Sequence, residues 1–108
     1  MSQLLIKVSD FTKLPGARHR NDGDYSADEF FETKIEMPLR KIIELKNKDK
    51  ILIDLDGTLG YASSFVSQMA IRILETCNNI HKIKKIIIIK SDEDPSQKEG
   101  FWNEINKR

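Results

Sequence analysis

The chain has 108 residues, 39% of them hydrophobic and 32% charged, with a formal net charge of +1. That length holds one domain, 1–108, with one modest core, and so small a charge supplies no overall field toward nucleic acid or an anionic membrane. A single cysteine, Cys77, excludes an internal disulfide, and no run reaches the roughly 20 apolar residues of a membrane span.

The opening "MSQLLIKVSDF" meets a charge too early for a signal-peptide core, so a cytoplasmic protein is expected. Gln3 to Val8 reads as a first strand. A long loop follows, with breakers at Pro15-Gly16 and Asp22-Gly23 and room for a short extended piece near Ala17 to Arg20. Ser26 and Glu29 have capping-box spacing, so a helix is predicted from Ser26. Phe30, Phe31, Ile35, Leu39, Ile42 and Ile43 fall near one face of it. Pro38 lies inside this pattern and is expected to kink or split the helix, which fades at "KNKDK".

Lys50 to Leu55 is predicted as a strand, and Asp56 to Ala62 as a turn-rich connection. From Ser64 to Asn78 the period becomes helical, with Val66, Met69, Ala70, Ile73, Leu74 and Cys77 in one stripe. Lys85 to Lys90, "KIIIIK", is the most apolar run and is expected at the centre of the sheet, covered on both faces. A last helix is predicted from Pro95, pinned to the sheet by Phe101 and Trp102. The order favours an α/β fold, a mostly parallel sheet of about four strands with helices packed against it.

The stretch "ILIDLDGTL" matches the first motif of the haloacid dehalogenase superfamily. That resemblance implies an attacking Asp54, an acid–base Asp56 and a magnesium ion between them. It ends after about six residues, and the chain beyond Asp56 shows one clear strand where that family needs several. Otherwise the two carboxylates read as turn and cap acceptors.

A longer resemblance runs from Phe11 to Leu74. It is carried by Pro15, Gly16, Arg18, Asp22, Gly23, Ser26, Glu29, Phe30, Pro38, Leu39, Asp54, Gly57, Ser63, Ser64 and Phe65, in order. The pattern resembles a small STAS-like family of unknown function, related to the STAS domain of anti-sigma-factor antagonists. In the wider STAS pattern an acidic residue precedes the serine pair and a glycine follows it; Ala62 and Phe65 stand at those places.

The resemblance implies a non-enzymatic switch without a cofactor, partnered by a serine kinase or ATPase of the anti-sigma type. Ser64, or Ser63, is the implied phosphorylation site. Asp56, Gly57, Tyr61, Phe65, Arg18 and Arg20 are the implied partner-binding residues. A serine at a helix start either caps free amides or carries a regulatory phosphate, and the sequence does not separate the two. The alternative keeps the fold and makes the chain an immunity protein or antitoxin that covers a toxin. His19 and His81 are too far apart and too poorly accompanied for a metal site, and no basic–aromatic interleaving suggests a nucleic-acid partner.

Overall fold

The computed structural model describes residues 2–107, apart from the side chain of Ser63. Among them three strands form one sheet: β1 (Gln3–Lys7), β2 (Lys50–Asp54) and β3 (Ile87–Lys90). The order is β1-β2-β3 and both pairings are parallel. Helix α1 (Val8–Phe11) is one turn. Helix α2 (Ala27–Phe30) runs through a π-helical turn, Phe31–Ile35, into α3 (Glu36–Leu45). Helices α4 (Ser63–Thr76) and α5 (Ile80–Ile86) join β2 to β3, and α6 (Pro95–Asn106) closes the chain.

Ile51 lies opposite Leu4 and Ile87, and Ile53 opposite Ile6 and Ile89. Since side chains alternate across a strand, these rows share a face, and all but Leu4 are buried. Phe30, Phe31, Ile35, Leu39, Phe65, Met69, Ile73 and Phe101 complete the core. The row Leu5, Leu52 and Ile88 lies on the other face, where Leu5 and Ile88 are exposed.

Three strands stand where about four were expected. The Ala17–Arg20 stretch enters no ladder; the carbonyls of Ala17 and Arg18 instead accept from the amides of Ala27 and Asp28 at 2.9 and 3.2 Å. The "KIIIIK" run is also not central. Its first two residues finish α5, a helix started by the Asn79 side chain accepting from the Lys82 amide. Each crossover sets the next strand beside the last, so the second of three strands becomes the middle one.

Pro38 acts through the chain before it. The Glu36 amide donates to the Phe31 carbonyl, five residues back. That expanded turn ends where an ordinary helix would press the proline ring on the carbonyl of residue 34. At the far end α6 docks on α4, with Phe101 buried and Trp102 half-buried.

Phe65 is fully buried, with its ring 5.9 Å from Phe30 and 6.0 Å from Tyr61. Phe65→Ala should lower stability by about 3–5 kcal/mol, read as a lower urea midpoint. A loss under about 1 kcal/mol would show that this aromatic packing is not a core contact.

Candidate docking site at the carboxyl end of the sheet

All three strands run the same way, so their carboxyl ends share one edge. The loop 12–25 after α1, the loop 55–62 after β2 and the turn 91–94 after β3 meet there. The 13–18 segment works as a strap. Its Lys13 and Pro15 carbonyls accept from the amides of Leu59 and Ala62 at 2.8 and 3.0 Å. Its Ala17 and Arg18 carbonyls accept the first amides of α2, which have no partner inside their own helix. Pro15, within this segment, is buried.

A charged network latches the far end of the strap. Arg18 donates to the Gln68 side-chain oxygen at 3.1 Å, and Gln68 donates to Asp28 at 2.8 Å. Asp28 also contacts His19 Nδ1 at 2.7 Å and Arg72 at 3.0 Å. Arg72 reaches Glu32 at 3.3 Å, and Arg20 reaches the same Glu32 at 2.8 Å. Burial pushes the Asp28 carboxyl up, but the hydrogen bonds from His19, Gln68 and Arg72 outweigh it and hold it below its ordinary value. The Arg20 hydrogen bond does the same for Glu32.

Asp56 organises the turn after β3. One of its oxygens accepts from Lys90 Nζ at 2.8 Å and from the Asp92 amide at 3.1 Å; the other accepts from the Glu93 amide at 2.9 Å. Asp54 accepts the Asp56 amide at 2.9 Å and lies 4.0 Å from Lys90. Burial raises the Asp56 carboxyl, and Lys90 with the two amides brings it below its ordinary range. Hydrogen bonds to Asp56 and Asp92 hold the Lys90 ammonium well above its usual range. Gly57 is required by its neighbours: its φ is +87°, and a Cβ there would sit 3.2 Å from the Ser9 Cβ. A cleft of about 160 Å³ opens beside this cluster, lined by Asp56, Thr58, Tyr61, Ser91 and Glu93 among others.

Ser64 is half-buried and does not cap its helix. Ala62 holds the N-cap position without a side-chain bond, while the Ser64 hydroxyl donates to the Gly16 carbonyl of the strap at 3.4 Å. Ser63 is the first residue of α4, and its side chain lies outside the described residues. Tyr61 is half-buried and its hydroxyl donates to the Leu55 carbonyl at 2.8 Å. Phe65 has no exposed surface and supports the loops from beneath. Gly57 and Arg20 are exposed, and Arg18 is held by Gln68.

Two exposed residues here escaped the sequence analysis. Leu14 is 70% exposed and Leu59 is 79% exposed, on loops joined by the Leu59–Lys13 backbone bond. The only signal was an apolar residue stranded among turn formers, beside Pro15-Gly16 and before Gly60. Gln68 was also missed; it is a polar residue next to Met69 in an apolar stripe, and buried. Comparison with protein-family models, curated proteins and solved structures returns no match.

Because Asp28 and Glu32 titrate below their ordinary values, the latch contributes fully above the usual carboxylate range of about 4. It weakens as pH falls through the lower folded values. Heteronuclear NOEs of residues 17–23 should therefore stay high at neutral pH and drop only at more acid pH. At neutral pH, Asp28→Asn should speed tryptic cleavage after Arg18 and Arg20 several-fold. Cleavage at the unaltered rate would mean that the network does not hold the strap.

Proposed function

We propose that this chain is a non-enzymatic, STAS-like regulatory domain that binds another protein at the carboxyl end of its sheet, with Ser64 as its switch. One observation carries the reading: two exposed leucines, Leu14 and Leu59, stand on joined loops, and the strap bearing one of them is tied to the Ser64 hydroxyl. Apolar side chains held on a defined backbone suit a protein partner. The resemblance names the partner class, a serine kinase or ATPase of the anti-sigma type.

The switch follows from charge. A phosphate on Ser64 brings nearly two negative charges against the Gly16 carbonyl, which is an acceptor and repels them. The same phosphate suits the free amides at the start of α4. Both effects break the Ser64–Gly16 contact, while the backbone bonds of Lys13 and Pro15 to the loop after β2 stay in place, and they set a charge beside the strap that bears Leu14. The unmodified and the phosphorylated protein then present Leu14 and Leu59 beside different charge.

A second reading, magnesium-assisted phosphoryl transfer, has one observation in its favour: Lys90 reaches Asp56 and lies 4.0 Å from Asp54. Both Asp56 oxygens, however, are engaged by Lys90 and the 92–93 turn. Asp54→Asn separates the readings, since it removes a phosphatase activity and leaves partner binding intact.

The first experiment is a pull-down from native cells with this chain as bait, with intact mass read on the recovered bait. A co-purified ATPase or kinase, with a phosphate-sized mass gain, is expected. Ser64→Asp should keep the circular dichroism spectrum and weaken that partner at least tenfold. Unchanged affinity overturns the switch. A tight stoichiometric partner that leaves the bait unmodified instead points to toxin neutralisation.

A further inference from the structure

The opposite end of the sheet carries a second concave site. A cavity of about 540 Å³ lies between the ends of α3 and α5 and the start of β2. Its floor is aliphatic: Ile42, Ile43 and Ile86. Its rim holds Lys46, Lys48, Lys50, Lys82 and Lys85 against a single acid, Asp49. In a chain with a net charge of +1, this is a strong local excess of positive charge.

The fold engages Lys50 and Asp49 and leaves the other rim lysines open to solvent or a ligand. Lys50 Nζ donates to the Lys85 carbonyl at 2.6 Å, at the end of α5. Asp49 accepts the Ser2 amide at 2.9 Å. The ammonium groups of Lys46, Lys48, Lys82 and Lys85 have no ion-pair partner among the described residues. Lys46 holds its place through a left-handed backbone, φ 51°, that ends α3 and turns the chain toward β2.

The geometry points to a binding site for a single-chain amphiphilic anion, a carboxylate or phosphate on a saturated alkyl chain. The size falls within the range of small-molecule sites, roughly 300–1,000 Å³. The anionic head answers the lysine rim. The chain answers the isoleucine floor and the methylene stems of the lysines, which cover apolar surface while their ammonium groups stay in water. The lining holds no aromatic ring to stack a base or a sugar face, and its one neutral polar side chain, Asn47, is engaged through its oxygen by the Asp49 amide at 3.0 Å. This site is independent of the proposed switch, and neither reading needs the other.

The test uses decanoate and decyl phosphate below their micelle concentrations, followed by heteronuclear NMR on the full chain. Saturable shifts confined to residues 42–50 and 80–86 are expected. Decyltrimethylammonium and decyl maltoside should give none. Lys82→Glu with Lys85→Glu should weaken binding at least tenfold. Lys48→Glu, in the loop before β2, should weaken it several-fold, and serves if the double variant fails to fold. The proposal is overturned by equal shifts with the cationic or neutral probe, by affinity unchanged in a folded variant, or by a response to an oligonucleotide or to anionic vesicles with none to the free amphiphiles.

Discussion

Four carbonyls on one short strap hold together the loops at the carboxyl end of the sheet. Lys13 and Pro15 give theirs to the loop after β2, and Ala17 and Arg18 give theirs to the start of α2. A buried or half-buried loop must place its backbone polar groups somewhere, and this one places them on amides that their own elements leave unpaired. That exchange fixes the loop 12–25 and fastens the start of α2 to the region where α4 begins. Leu14, Ser64 and the Arg18–Gln68 contact all take their positions from it.

Charge is distributed unevenly along the strand direction, although Lys13, Arg18 and Arg20 share the carboxyl edge with its acids. Asp54, Asp56, Asp92, Glu93 and Asp94 gather where the strands end, with Lys90 among them. Lys46, Lys48, Lys50, Lys82 and Lys85 gather where β2 begins. The net charge of +1 conceals this arrangement, because composition sums charges that the parallel sheet sorts to opposite ends. A parallel fold does this readily, since every loop that follows a strand arrives at one edge and every loop that precedes one leaves from the other.

The elements legible in the sequence were those with local causes. Ser26 caps its helix at the predicted residue, accepting from the Glu29 amide at 3.1 Å. The stripe Val66, Met69, Ala70, Ile73, Leu74 and Cys77 is buried as its period required. Helix α5 was hidden because its spacing of Ile80, Ile83 and Ile86 runs without a break into the apolar β3. Only Asn79 marked its start. The position of "KIIIIK" at an edge depends on strand count, which no local pattern carries. Ser64 shows the same limit at the site. Its residue type and helix position matched a cap, yet its partner is a carbonyl 48 residues away in sequence.

That distant partner shapes the energetics of the proposed switch. A neutral hydrogen bond contributes about 0.5–1.5 kcal/mol net, and one of 3.4 Å lies beyond the usual length for two oxygens. The Ser64 contact therefore adds little to the near end of the strap, which the Leu59 and Ala62 amides hold through the Lys13 and Pro15 carbonyls at 2.8 and 3.0 Å. The far end is held by Arg18, His19 and Arg20 through Gln68, Asp28 and Glu32. A charge placed on Ser64 acts on that weak contact and leaves the attachments at both ends of the strap in place. The strap then yields at Gly16, between the carbonyls of Pro15 and Ala17 that stay bonded, with Leu14 on one side of it. A docking surface of two leucines, one on the strap and one on the loop 55–62, thereby gains a charge at its border without unfolding the core beneath it.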